Sequence, residues 1–180
     1  MTATRNKRHA VVCAASQGLG LATAKALAAN GMDLVICARG EDRLRAVAAS
    51  LAAEYGVKVH PVVADLAAAG APESFAAEAQ RLLGRVDVLV NNVGGPAPTA
   101  ACETGRAQWQ KGFEQVFLSS TLLTTELVRG MRERKFGRVI TITSISVLEP
   151  IENLVVSTAM RLAVTGFTKT LANDCLLYTS

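Results

Sequence analysis

Residues 9–20 read HAVVCAASQGLG, a short apolar run with β-branched side chains that leads into a glycine-rich turn. The segment LATAKALAANG at residues 21–31 follows at once, and its apolar residues have helical spacing. A strand, a glycine-rich turn and a helix in this order are typical of the first unit of a nucleotide-binding α/β fold. Glycine in such a turn lets backbone amides approach a phosphate at the helix N-terminus. Alone this signal is weak, because any tight strand-to-helix turn favours glycine.

The same alternation continues along the rest of the chain. Four further apolar runs are predicted as strands: 33–39, 58–65, 86–92 and 137–144. Helices are predicted over 41–56, 72–84, about 106–134 and about 154–177. Strands that are apolar throughout indicate burial on both faces, as in a parallel sheet covered by helices. We therefore predict a doubly wound, Rossmann-like α/β sheet in three α/β/α layers, formed by one domain over residues 1–174.

Composition and charge exclude several other classes of protein. Half of the 180 residues are apolar, and 19 basic against 15 acidic residues give a net charge of +4. This balance excludes a disordered chain, and the basic residues form no patch with interleaved aromatics that would indicate nucleic-acid binding. No apolar run reaches the length of a membrane span, and no signal peptide is evident. The four cysteines show no metal-binding spacing, so we expect no metal and a cytoplasmic location.

Three motifs together resemble those of a known family. Its turn TGxxxGxG corresponds to CAASQGLG at 13–20, with Ala14 where the first glycine is expected, and its NNAG corresponds to NNVG at 91–94. Asp65-Leu66, after the third strand, matches the acidic position beside the adenine ring. On these residues the chain resembles a short-chain dehydrogenase/reductase, in the 3-oxoacyl-acyl-carrier-protein reductase branch. The resemblance runs from about His9 to Asn173.

The resemblance implies a dinucleotide site. Its residues are expected to be Ala14, Ser16, Gln17, Gly18, Leu19, Gly20, Asp65, Leu66, Asn92, Val93 and Gly94. Arg39 comes directly after the second strand, where an arginine accommodates a 2′-phosphate and an acidic residue would favour the free 2′-hydroxyl. Arg39 therefore favours NADP(H) over NAD(H). The alternative is that Arg39 is an ordinary surface arginine opening a polar loop.

The catalytic positions depart from the family. Its members use Asn, Ser, Tyr and Lys, and only the serine is matched here, by Ser144. Ser157 stands at the tyrosine position, Arg161 at the lysine position and Val116 at the asparagine position. A serine hydroxyl is a much weaker and shorter acid than a phenol, and loss of a general acid costs ~10²–10⁴ in rate. We predict Ser144, Ser157 and Arg161 as the catalytic residues, with Ser144 and Arg161 polarising a carbonyl and water supplying the proton.

Two functions remain open on this evidence. The first is an NADP(H)-dependent oxidoreductase that reduces a small-molecule carbonyl or acyl substrate, such as a 3-oxoacyl thioester. The second is a nucleotide-binding pseudoenzyme that acts as a sensor or partner subunit. Spacing alone would instead place Ser157 and Arg161 on an ordinary helix surface. A methyltransferase on a similar sheet is disfavoured by the NNVG and Asp65-Leu66 positions.

The resemblance also carries expectations about the whole protein. Family members form oligomers through the last two helices, so a homo-oligomer is expected when the protein is full length. They also continue through further strands, so we expect this chain to be a C-terminally truncated fragment. Residues 175–180, CLLYTS, depart from the family pattern and are expected to be a non-native tail.

Overall fold

Five parallel strands form the centre of the molecule in the computed structural model, which describes residues 7–175. Their order across the sheet is β3-β2-β1-β4-β5. The strands are β1 (His9–Val12), β2 (Asp33–Ala38), β3 (Val59–Val63), β4 (Val88–Asn91) and β5 (Arg138–Thr141). The predicted parallel, doubly wound sheet is confirmed, with each strand shorter than its apolar run. The strand order reverses direction between β1 and β4, and in such sheets the crevice at that point is where ligands bind.

Six α-helices connect the strands and cover the sheet. They are α1 (Gly18–Ala29), α2 (Glu41–Tyr55), α3 (Ala71–Leu83), α4 (Arg106–Gly112), α5 (Ser119–Glu133) and α6 (Val155–Cys175). Pro72 lies in the first turn of α3, and Gly84 ends that helix with a φ of 72°. The last helix was predicted to reach residue 177, but 176–180 lie outside the described residues, as does most of the predicted tail.

The two faces of the sheet have separate hydrophobic cores. One contains Val12, Ile36 and Val90 with side chains from α1 and α2. The other contains Val11 and Leu89 with side chains from α3 and α5. Side chains alternate between faces along a strand, so helices on both sides require continuous apolar strands. Each fully buried aliphatic side chain contributes about 1.5–3 kcal/mol, which makes these central strands the rigid support of the site.

The predicted long helix over 106–134 is interrupted. Between α4 and α5, residues Phe113–Leu118 form a π-helical segment with wider turns. Gly112, at the end of α4, faces α6 so closely that a Cβ there would overlap the Val156 side chain. On the other side of the segment, the Ser119 hydroxyl donates to the Gln115 carbonyl at 2.6 Å. Such π segments are frequent at functional sites, and this one contains Val116, the residue at the family's asparagine position.

Candidate active site and nucleotide cleft

A cleft of about 860 Å³ lies at the carboxyl ends of the strands. Most of the predicted nucleotide-site residues line it: Ala14, Ser16, Gln17, Arg39, Asp65, Leu66, Asn92, Val93 and Gly94. Gly18, Leu19 and Gly20 do not line the cleft itself, although they form the turn and first helical residues beside it. The predicted catalytic residues Ser144, Ser157 and Arg161 lie outside its lining as well. Most of the predicted nucleotide residues therefore line the cleft, whereas the predicted catalytic residues do not.

The glycine-rich turn has backbone requirements at three positions. Gly18 has a φ of 57°, and nothing lies within 4 Å of the place where its Cβ would be. A Cβ on Gly20 would overlap the Ala14 carbonyl group and lie 2.9 Å from Nδ2 of Asn92. Ala14 stands at the family's first glycine and keeps a glycine-like backbone, with a φ of 48°. The turn therefore holds Ala14 in a conformation that favours glycine, at some cost in backbone strain.

Two arginines lie beside this turn. Arg39 is exposed at the end of β2 and lines the cleft, as predicted. Arg43, in the first turn of α2, donates a hydrogen bond from Nη1 to Oε1 of Gln17. Sequence reasoning did not identify Arg43, and its spacing of four residues from Arg39 was the available signal. The Gln17 side chain is thus held by an arginine from the neighbouring β-α unit.

The other cleft residues are held by local contacts. Asp65 is exposed, and its Oδ1 accepts a hydrogen bond from the Ala67 amide at 3.2 Å. Leu66 packs against the core under α3 and α5. Cys37 lines the cleft, and a hydrogen bond with Cys37, together with burial, raises the pKa of the Cys13 thiol well above its usual value. Cys13 is therefore a neutral thiol that packs as a small buried apolar side chain.

Ser157 and Arg161 are buried in α6, with 7% and 9% of their surface exposed. The alternative that both lie on an ordinary helix surface is therefore wrong. Nε of Arg161 donates to Oγ of Ser157 at 3.2 Å. Because arginine lacks any acceptor and is always charged near neutral pH, this bond must run from guanidinium to hydroxyl oxygen. Burial lowers the pKa of Arg161, which nonetheless stays protonated at neutral pH.

The Arg161 guanidinium also joins the ends of two strands. Nη1 donates to the carbonyl oxygens of Ile142 and Thr143, each at 3.2 Å, beyond the end of β5. Nη2 donates to the carbonyl oxygen of Val93 at 3.3 Å, beyond the end of β4. A guanidinium has more N–H groups than these bonds use, so one N–H on Nη2 has no acceptor among residues 7–175. Arg161 therefore connects α6 to both strands and keeps one donor free.

Ser144 lies close to Ser157 and Arg161 because its neighbour in sequence, Thr143, binds Arg161 through the backbone carbonyl. Ser144 follows Thr143, whose carbonyl binds Arg161, and its Oγ accepts a hydrogen bond from the Ser146 amide at 3.1 Å. Across from it, Ser157 Oγ and Arg161 Nη2 each lie 4.0 Å from the point that a Cβ on residue 95 would occupy. Gly95 therefore lies within van der Waals range of both side chains.

Val116 replaces the family asparagine with an apolar side chain that is 1% exposed. The adjacent Gln115 has the polar contact instead. Its Nε2 donates to the carbonyl oxygens of Gly94 and Gly95, at 2.9 and 3.2 Å, and the residue lines the cleft. Sequence reasoning missed Gln115, because a helical glutamine next to an aligned position carries no distinctive signal. Its contacts hold the Gly94-Gly95 loop between the nucleotide cleft and the catalytic residues.

Two further observations concern metals and membranes. Within residues 7–175, no group of three or more His, Cys, Asp or Glu side chains is arranged to hold a metal ion. None of the helices in the same range combines the length and the apolar character that crossing a membrane requires.

Comparison with known proteins gives one consistent result. The family model described as short chain dehydrogenase matches residues 8–178. A 3-oxoacyl-acyl-carrier-protein reductase of Synechocystis is 33% identical over 166 residues, which are 92% of this chain and 67% of that protein. The human inactive hydroxysteroid dehydrogenase-like protein 1 is 30% identical over 167 residues, 91% of this chain and 50% of that protein. The chain spans about 65% of the length of the first curated relatives it matches.

The solved structures agree with the sequence relatives. YwfH, an NADPH dependent reductase involved in bacilysin biosynthesis, superposes with a TM-score of 0.90 at 27% identity. The superposition covers 93% of this chain and 66% of YwfH. A match of this extent supports the three-layer architecture.

Proposed function

Because the chain belongs to the short chain dehydrogenase family, we propose that it is part of an NADP(H)-dependent oxidoreductase that reduces a carbonyl. A 3-oxoacyl thioester is the proposed type of substrate, as the name of the Synechocystis relative suggests. The observation that carries the proposal is the open cleft beside the glycine-rich turn, with Arg39 at its wall. The proposed substrate is a small molecule and not a nucleic acid.

The residues of the cleft fit a dinucleotide phosphate. Open space at Gly18 and the close packing of Gly20 on Ala14 leave room for a pyrophosphate at the start of α1. Arg39 would hold a 2′-phosphate, since a guanidinium pairs well with phosphate oxygens. Asp65 and Leu66 would border the adenine, and Asn92, Val93 and Gly94 would border the rest of the dinucleotide. When bound, NADPH supplies the hydride for carbonyl reduction.

The catalytic role is proposed for Ser157, Arg161 and Ser144. The hydroxyl hydrogen of Ser157 is free to be donated, because its oxygen accepts from Arg161. The uncompensated charge and free N–H of Arg161 would stabilise negative charge on a substrate oxygen that enters past Gly95. Neither side chain titrates near neutral pH, so the proton that completes the alcohol would come from water. Ser144 would position the adjoining backbone turn and stabilise the same oxygen.

Turnover of a 3-oxoacyl thioester tests this function. Acetoacetyl-N-acetylcysteamine and NADPH are mixed with the protein, and NADPH oxidation is followed by absorbance. Ser157→Ala should lower kcat by about 10–100-fold. Removal of one donor to a developing oxyanion costs ~10²–10³-fold, and the loss here is expected to be at or below that range. Ser144→Ala should lower it by less, and Ser50→Ala, on the exposed face of α2, should leave it unchanged. Equal turnover by all three variants would reject the catalytic assignment.

A second candidate is a nucleotide-binding protein without dehydrogenase chemistry. The observation that favours it is that most Arg161 donors already bind backbone carbonyls, while Val116 gives an apolar group where the family has an amide. The human relative is itself named inactive. Quenching of NADPH fluorescence with no turnover of any carbonyl compound in a broad panel would support this candidate over the first.

We also propose that the whole protein forms a homo-oligomer through α4–α6. Phe113 is 40% exposed there, and its ring stacks on Phe117 at 5.3 Å between centroids. Light scattering after gel filtration measures the mass, and a monomer at high protein concentration would reject the proposal.

A further inference from the structure

Arg43 bridges the starts of two β-α units. It is exposed in the first turn of α2, and its partner Gln17 lies 26 positions earlier, in the glycine-rich turn before α1. Gln17 lines the nucleotide cleft, as does Arg39, four residues before Arg43. The guanidinium of Arg43 therefore lies beside the Gln17 side chain of the cleft wall, on a helix that begins next to Arg39.

The partner of Arg43 is neutral, and this decides what the arginine can do. A carboxylate at residue 17 would hold the guanidinium and cancel its charge, whereas the Gln17 amide holds it and leaves the charge uncompensated. Among residues 7–175, neither Arg39 nor Arg43 forms an ion pair. By contrast, Arg45 on the same helix forms an ion pair with Glu41, with 2.7 Å between Nη2 and Oε1.

The pairing of Glu41 with Arg45 also occupies a carboxylate that could otherwise pair with Arg39 or Arg43. Glu41 is the first residue of α2 and would otherwise offer its carboxylate to the nearby arginines. Asp42 is the remaining acidic residue of this turn and forms no ion pair among residues 7–175. Residues 39–45 carry three arginines against two carboxylates, so this segment has a net charge of +1.

From these contacts we propose that Arg43 is a second arm of a 2′-phosphate site, set in place by Gln17, and that it determines the preference for NADP(H) over NAD(H) together with Arg39. This inference rests on the proposed nucleotide-binding function. A 2′-phosphate carries close to two negative charges and accepts several hydrogen bonds, so two guanidinium forks can bind it at once. A free 2′-hydroxyl has no charge and gains almost nothing from the second arginine. Gln17 is accordingly a positioning residue, and it would not contact the phosphate itself.

The test uses two small nucleotides that differ only in the 2′-phosphate. The affinities of 2′,5′-ADP and 5′-ADP for the full chain are measured by titration calorimetry in 50 mM salt. Arg43→Ala should weaken binding of 2′,5′-ADP about tenfold and leave 5′-ADP within about twofold. Gln17→Ala should give a smaller loss in the same direction, since Arg43 remains but is no longer held.

Matched controls separate the possible failures. Arg81→Ala removes an exposed arginine of α3 that is paired with Glu78 away from the cleft, and it should not alter either affinity. Arg39→Ala should lose at least as much 2′,5′-ADP affinity as Arg43→Ala. If Arg43→Ala behaves like Arg81→Ala while the unmodified chain still prefers 2′,5′-ADP, the role of Arg43 is rejected and nucleotide binding stands. If the unmodified chain binds neither nucleotide, the proposed function fails and this inference fails with it.

Discussion

The two halves of the carboxyl edge of the sheet use their polar groups in opposite ways. In the proposed nucleotide half, at the ends of β1–β3 with Asn92, Val93 and Gly94 after β4, Arg39 lines the open cleft and Arg43 adjoins it through Gln17. Neither arginine forms an ion pair among the described residues. In the proposed catalytic half, formed by α6 with the segment after β5, Arg161 is buried and donates mostly to backbone carbonyls. The first half keeps most of the family motifs, and the second half has exchanged three of four catalytic residues. The two proposed roles can therefore be tested by separate substitutions.

Removal of Arg161 should produce the largest difference between the halves. Arg161→Ala breaks its bonds to Val93, Ile142 and Thr143 and leaves three half-buried carbonyls without that donor, so the free energy of unfolding should fall by about 3 kcal/mol. The NADPH dissociation constant should change by less than about threefold. Urea unfolding and fluorescence titration measure the two quantities. Arg129→Ala, which breaks only an exposed ion pair with Glu126, is the control and should cost under about 0.5 kcal/mol.

An equal loss of NADPH affinity and stability in Arg161→Ala would contradict the separation of the two halves. It would mean that the contact between Arg161 and Val93 helps to shape the cleft.

A change in the glycine-rich turn should have the reverse effect. Gly20→Ala places a Cβ against the Ala14 carbonyl and the Asn92 amide, so the turn must move and the NADPH dissociation constant should rise at least about tenfold. Fluorescence titration measures this change. Gly166→Ala in α6, where nothing lies within 4 Å of the new Cβ, should leave binding unchanged. Unaltered NADPH binding in Gly20→Ala would show that the turn does not hold the dinucleotide.

Ala14→Gly should have a smaller and favourable effect. Ala14 has a positive φ, which costs a residue with a side chain about 1–2 kcal/mol. Glycine removes that cost, but it also makes the unfolded chain more flexible, and this offsets part of the gain. The free energy of unfolding should therefore rise by up to about 1 kcal/mol, as measured by urea unfolding. Ala15→Gly is the control, because Ala15 is fully buried and should only lose packing. A destabilised Ala14→Gly would indicate that the methyl group makes a necessary contact.

The smallest expected effect lies at the opposite edge of the sheet, at the start of β2. Burial favours the neutral form of Asp33, but hydrogen bonds from Lys7 and Lys58 and nearby positive charge outweigh it, so the pKa of Asp33 is lowered. A carboxyl whose pKa is lower in the folded state stabilises the fold above its ordinary pKa of 3.8. That contribution disappears as the pH falls through the folded pKa.

Unfolding of the unmodified chain and of Asp33→Asn, compared between pH 7 and pH 3, measures this contribution. The difference in unfolding free energy should be constant near neutral pH and shrink below about pH 4. Asp42→Asn, in the exposed first turn of α2, is the control with a difference near zero throughout. A difference for Asp33→Asn that grows as the pH falls would have the wrong sign for the Lys7 and Lys58 contacts.

The sequence predicts the sheet and the nucleotide half better than the catalytic half. Continuous apolar strands and the glycine-rich turn at 13–20 are local patterns in the sequence. The strands are apolar because both faces of the sheet are buried, and the turn is rich in glycine because a phosphate must come close to its backbone. The burial of Arg161 is not local: it depends on carbonyls contributed by two strands far away in the chain. The Gln17–Arg43 contact joins separate β-α units in the same way, and no spacing within either unit indicates it.

The π-helical segment Phe113–Leu118 has a consequence for how the chain tolerates changes in length. An α-helical residue turns the chain by about 100°, whereas a π segment turns it less per residue and so takes up about one extra residue within a wider turn. Gly112 thereby meets α6 while Leu123 and Leu127 still enter the core below the sheet. Deletion of a single residue within 113–118 would restore an ordinary helix and leave those leucines facing the core. A one-residue deletion here should therefore be tolerated better than one in the first turn of α5, which would rotate the same leucines by about 100°.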